Sequence, residues 1–143
     1  MREILFRGKR TDNDEWIEGN LIHQTEYYGS LFDRYHILRV GEFDYDYYDR
    51  ALVIPETVGQ YTGLTDKNGK KIFEGDIVST DLTRPYNIVE YRDGSFMFNC
   101  NDGGEDYYDI MLPILKEAHT KYEYGEVIGN IHDNPELLKG EQG

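Results

Sequence analysis

Every apolar run in this chain is short, and a turn signal closes nearly every one of them. Ile4-Leu5-Phe6 gives way to Arg7-Gly8-Lys9-Arg10 and then to the loop-like Thr11-Asp12-Asn13-Asp14. Glu15-Trp16-Ile17-Glu18-Gly19-Asn20-Leu21-Ile22 resumes as a strand, which predicts an opening hairpin with Trp16 as its anchor in the core. Residues 24–30 read as irregular, Tyr35-His36-Ile37-Leu38-Arg39-Val40 as a strand, and residues 41–50 as an acidic, aromatic surface excursion. Ala51-Leu52-Val53-Ile54 is stopped by Pro55, which offers no ladder N–H.

Asn68-Gly69 is the strongest short turn signal, because both residue types tolerate positive φ. After it, Glu74-Gly75-Asp76 bends the chain into an apolar strand, a feature common in small SH3-like barrels. Ile88-Val89-Glu90-Tyr91 and Ser95-Phe96-Met97-Phe98 flank Arg92-Asp93-Gly94 as the clearest hairpin. Tyr107-Tyr108-Asp109-Ile110 and residues 126–132 supply further strands. Helix is confined to a short segment over residues 112–119 and to a proline-started turn over residues 133–138. Short strands at near-regular spacing predict a mainly β fold, a barrel or a sandwich, with little helix.

Composition agrees. Thirteen tyrosines suit strands and fifteen glycines suit turns. A chain of 143 residues fits one domain, or two small subdomains. The lone cysteine, Cys100, rules out an internal disulfide framework and suits a reducing cytosol. The opening residues lack the pattern of a signal peptide, and no stretch approaches the length of a membrane span. A cytoplasmic protein is therefore expected. The formal net charge of -13 argues against affinity for nucleic-acid phosphates or anionic membranes, which needs clustered Lys and Arg. It leaves solubility, docking on a basic partner, or imitation of nucleic-acid charge.

No motif carries catalysis. His23, His36, His119 and His132 show no metal-ligand spacing, and Cys100 reads as a small apolar residue rather than a nucleophile. Asn101-Asp102-Gly103-Gly104-Glu105-Asp106 lacks the ligand alternation of a calcium loop and reads as a solvated acidic loop. Neither a phosphate-binding loop nor a nucleophile elbow is present. The chain is expected to be no enzyme and to need no cofactor or metal. The best surface candidate is Tyr45, Asp46, Tyr47, Tyr48 and Asp49, since tyrosines give contact area at low entropy cost and carboxylates select a basic partner. The competing reading has the tyrosines packed on one strand face. Tyr27-Tyr28 and Tyr107-Tyr108 are weaker versions of that idea and read as ordinary packing.

Val58-Gly59-Gln60-Tyr61-Thr62-Gly63-Leu64, the Asp66-Lys67-Asn68-Gly69 turn and Ile72-Phe73-Glu74-Gly75-Asp76-Ile77-Val78 together resemble the signature of the YopX family of phage and prophage proteins. Val127-Ile128-Gly129-Asn130-Ile131-His132-Asp133-Asn134-Pro135-Glu136-Leu137-Leu138 resembles its C-terminus, and Ile4-Leu5-Phe6-Arg7-Gly8 with Trp16 and Gly19 its opening. Residues 24–50 and 82–86 match no such pattern. The resemblance implies one YopX-like domain over residues 1–143. Within it, an irregular β subdomain over 1–57 stands beside an SH3-like barrel over 58–138. It leaves room for a homo-oligomer and supplies no catalytic residue.

Four functions fit the sequence to different degrees. The first is a phage accessory protein that binds a basic host or phage protein, or itself. The second is an acidic mimic of nucleic acid. The third is a nucleic-acid-binding β-barrel, which rests on fold analogy and is opposed by the charge. The fourth is an unrecognised hydrolase, which needs clustered titratable groups in a pocket. The interaction module ranks first.

Overall fold

A computed structural model describes residues 3–27, 29, 31–39, 50–80, 86–100, 108–110 and 125–139. The chain divides into two compact units, Met1–Tyr61 and Thr62–Gly143. Both are built on antiparallel strands, so the fold is mainly β.

In the first unit, β1 (Phe6–Lys9) pairs with the start of β2 (Trp16–Tyr27), from Phe6↔Gly19 to Lys9↔Trp16. This is the expected opening hairpin. β2 pairs on its other side with β3 (Leu31–Leu38), and β3 with β4 (Arg50–Leu52). The first residues of β5 (Gly59–Thr65) pair with β1, giving the order β4-β3-β2-β1-β5. Ile17, Ile37, Ala51 and Val53 form the buried core, flanked by Phe6, Leu21, Tyr35 and Val58. Pro55 ends the β4 run as its missing N–H requires and opens a 3-10 turn, Pro55–Thr57. Thr57 ties that turn to β1: its hydroxyl accepts the Lys9 N–H at 2.9 Å and donates to the Ile54 carbonyl at 2.6 Å.

Trp16 departs from expectation. The strand alternation that buries Ile17 sends Trp16 to the opposite face, where it is only partly buried. There the Arg7 guanidinium lies 4.6 Å and the Lys9 ammonium 5.8 Å from the ring, so cation–π contact replaces core packing. The core anchors of this hairpin are Ile17 and the close approach of Gly19. A Cβ on Gly19 would collide with the Leu38 carbonyl oxygen, so only glycine lets β3 pass.

In the second unit, the later part of β5 lies beside β6 (Lys71–Phe73), and the Thr62 hydroxyl donates to the Ile72 carbonyl at 2.8 Å. A five-stranded sheet follows the order β10-β9-β8-β7-β11, with β7 Asp76–Ser79, β8 Asn87–Arg92, β9 Ser95–Asn99, β10 Tyr108–Ile110 and β11 Glu126–Asn130. Among the described residues this order is open, ending in β10 and β11. Ile72, Val78, Val89, Phe98 and Cys100 form its core. β8 and β9 are the expected hairpin. Arg92 pairs with Ser95, and Asp93 and Gly94 take φ of 51° and 80° between them, the two positive values of a type I′ turn.

The Asn68-Gly69 turn is held differently from its sequence reading. Gly69 has φ +81°, while Asn68 is not among the residues at positive φ. The turn is organised instead by Asp66, whose Oδ1 accepts the N–H groups of Asn68 and Lys70, each at 2.9 Å. Its Oδ2 reaches across to the N–H of Val127 on β11, at 3.0 Å. Asp76 caps the Glu74-Gly75 bend in the same manner, accepting the Phe73 N–H at 2.7 Å. The last segment ends as expected in a helical turn, α1 (Glu136–Lys139). The Asn130 side chain precedes it, accepting the N–H groups of His132 and Asp133. The helix expected over residues 112–119 lies outside the described residues.

Candidate interaction surface

The first unit's sheet is not of even length. β1 accompanies β2 only from Trp16 to Gly19, and β4 accompanies β3 only from His36 to Leu38. Yet β2 and β3 stay paired from Asn20↔Leu38 to Tyr27↔Leu31. Among the described residues, no strand pairs with the far side of β2 beyond Gly19, nor with β3 from Leu31 to Arg34. The two strands therefore continue as a ribbon. This corrects the reading of residues 24–27 as irregular and of β3 as beginning at Tyr35, while Tyr28 and Ser30 lie outside the described residues. The polar run Gln24-Thr25-Glu26 hides the strand because it has no apolar face to alternate with.

Strand alternation sorts the ribbon into two faces. Leu21, His23, Thr25 and Tyr27 share one face with Ile37, Tyr35, Asp33 and Leu31. That face starts in the core, where Ile37 is fully buried and Leu21 and Tyr35 pack beside it. Further out, the His23 and Tyr35 rings stack with centroids 4.4 Å apart. His23 Nε2 lies 3.0 Å from Asp33 Oδ1, and the Thr25 hydroxyl donates to the same oxygen at 2.9 Å. Those hydrogen bonds, from His23 first and Thr25 second, hold the Asp33 carboxyl below its usual range. The face ends in Tyr27 and Leu31, which are 72% and 73% exposed. On the reverse face, Phe32 is 48% exposed, and Arg34 Nε stands 3.6 Å from Glu26 Oε2. Where this face meets β4, burial and then the charges of Arg50 and Arg34 pull the His36 imidazole below its ordinary pKa, against the opposing pull of Glu26. His36 thus favours its neutral form.

An isolated two-stranded ribbon is marginal in water. Exposed ion pairs such as Arg34–Glu26 add little. Tyr27 and Leu31 extend the core-side stripe to an exposed tip, with Phe32 exposed on the reverse face, and this makes the tip the candidate interaction surface.

The surface candidates from sequence fall elsewhere. Tyr45, Asp46, Tyr47, Tyr48 and Asp49 lie outside the described residues, as do residues 101–107, Tyr28 and His119. Tyr27, expected to pack, is exposed instead. Cys100 is buried, and its thiol donates to Asn87 Oδ1 at 2.8 Å. Among the described residues no three His, Cys, Asp or Glu side chains gather as metal ligands, and no helix is long and apolar enough to cross a membrane. The pair Leu31-Phe32, isolated between polar residues and just past Gly29, is the sequence signal that marks the tip.

A family model described as YopX protein matches residues 5–139, nearly the whole chain. The chain belongs to the YopX family. The likeness carried by residues 58–78 and 127–138 is therefore one of membership. Among solved structures, the chain is similar to protein EF1440 from Enterococcus faecalis, with 25% sequence identity and a TM-score of 0.52. That alignment covers 96% of this YopX chain and 99% of the other. No curated protein matches.

Proposed function

We propose that this YopX-family chain is a non-enzymatic interaction or self-assembling module of a phage or prophage, working in the cytoplasm of the bacterial host, and that the β2–β3 ribbon is its contact surface. One observation carries the reading: the core-facing stripe of the ribbon runs past the last neighbouring strand and ends in exposed Tyr27 and Leu31, with Phe32 exposed on the reverse face. On this reading the second unit is an SH3-like barrel that serves as scaffold, supported by the Glu74–Asp76 bend into β7 and by its tight β8–β9 hairpin. The buried carboxylates Asp66 and Asp76 accept backbone N–H groups, which is structural work rather than proton transfer.

The test compares the parent with a Leu31→Asp/Phe32→Asp double variant. Sedimentation velocity reads self-association, and affinity capture from bacterial lysate at low and high salt reads foreign partners. The parent is expected to associate in at least one assay and the double variant to lose that association. A parent that neither self-associates nor captures anything at either salt refutes the reading.

A further inference from the structure

Building on that reading of the ribbon, we infer that its partner is a second copy of this chain, joined about a two-fold axis at Gln24 through the edge of β2 that no strand pairs with among the described residues. Charge is the first argument. Residues 21–38 contain two carboxylates, Glu26 and Asp33, and one guanidinium, Arg34, so the segment carries a formal -1 of the chain's -13. Asp33 is engaged by His23 and Thr25, and Arg34 by Glu26. A basic partner finds little to select here. The segment is instead one where two acidic copies meet with little local repulsion.

Register is the second argument. A two-fold axis perpendicular to a sheet pairs an edge with itself antiparallel, and it keeps each residue on its own face. Centred on Gln24, the β2 edge sets Leu21 against the second copy's Tyr27, Ile22 against its Glu26 and His23 against its Thr25. Apolar groups meet on the core-side face, and no like charges stand directly opposite. Centring one residue earlier, on His23, requires Gly19, whose edge is already paired with Phe6 of β1. Centring on Thr25 leaves Leu21 and Ile22 unmatched. The edge of β3 serves less well: among the described residues its open stretch is only Leu31–Arg34, and centring on Asp33 sets Asp33 against Asp33. Joined through β2, two marginal ribbons become one four-stranded sheet, past the three strands that independent stability needs. Two strand edges that lack a pairing strand among the described residues are also removed from water.

Two single-cysteine additions test the geometry, with Cys100 buried and unchanged in both. Directly opposed residues of an antiparallel pair have Cα atoms about 4.5–5.5 Å apart, within disulfide reach. Gln24→Cys places two thiols on the axis. Arg34→Cys lies opposite Gln24 on β3. Its two copies would be three strand spacings apart, roughly 14 Å, and beyond reach. Under mild oxidation Gln24→Cys is expected to give a covalent dimer on a non-reducing gel, while Arg34→Cys stays a single chain. The parent is expected to sediment as a dimer. A monomeric parent overturns the inference, as does a dimeric parent whose Gln24→Cys variant crosslinks no better than Arg34→Cys. If the parent is monomeric yet captures a foreign protein that the Leu31→Asp/Phe32→Asp variant does not, the second copy is ruled out and the interaction module stands.

Discussion

Asp66 shows how one side chain fixes a local structure that residue types alone leave open. Only 2% exposed, it gathers three backbone N–H groups from two strands' worth of sequence. Burial alone would push its carboxyl up. The donated N–H groups of Val127, Lys70 and Asn68, with the Lys70 charge, outweigh that and bring it below its ordinary 3.8. A carboxyl lowered by folding contributes stability that is complete above the ordinary carboxylate range and is lost as pH falls through the lower folded value. Asp66→Asn keeps one acceptor oxygen but turns an NH2 group toward either the Val127 N–H or the Asn68 and Lys70 pair. It is expected to cost about 1–3 kcal/mol near neutral pH, the range for an unmet buried hydrogen bond. The gap between parent and variant should narrow as pH drops below about 4. Urea denaturation at neutral and at acid pH measures both, and a pH-independent gap would remove the ionised carboxylate from the account.

At the scale of elements, the two hairpins behave differently and were legible to different degrees. The β8–β9 hairpin turns on Asp93 and Gly94, both at positive φ. Gly94→Val puts a β-branched residue in the left-handed region and should cost about 1–2 kcal/mol. The expected result is a lower urea midpoint with an unchanged slope, and an unmoved midpoint would mean that the turn is not type I′ in solution. This hairpin could be read from sequence because its signal is local: alternating apolar residues on each side of two turn residues. The β2–β3 ribbon could not. Residues 24–26 bury no face, so backbone pairing across the sheet, not hydropathy, sets their conformation. Trp16 lies off the core for a related reason. Its size suggests a core position, but the parity fixed by Ile17 sends it to the face where Arg7 and Lys9 cover it. The Glu74-Gly75-Asp76 bend and the Pro55 stop were legible because each follows from a single residue's backbone chemistry. The ribbon tip is legible in the sequence only as the pair Leu31-Phe32, a signal too short to stand against the longer Tyr-rich segment at residues 45–49.

For the whole molecule, net charge sets the sign of an observable that separates the available partners. Two copies, each with a formal -13, repel one another wherever they meet, and the near-neutral ribbon only lessens that repulsion. Salt shortens the Debye length to about 10 Å at 0.1 M and about 3 Å at 1 M, so added salt removes repulsion between acidic copies. It also strengthens the burial of Tyr27 and Leu21 when the anion is sulfate. Self-association through β2 should therefore tighten as salt rises. Docking on a basic protein should weaken, because there the salt screens attraction. Binding to nucleic acid should be absent at low salt and gain nothing from more, since -13 opposes phosphate contact. Sedimentation velocity across a salt series, run on the parent and on Leu31→Asp/Phe32→Asp, reads this directly. The expected outcome is a parent dimer that strengthens with salt and a variant that stays monomeric throughout. A parent complex that dissociates as salt is added would mean that opposite charges hold it together, and the acidic surface rather than the ribbon would then be the place to look for its contacts.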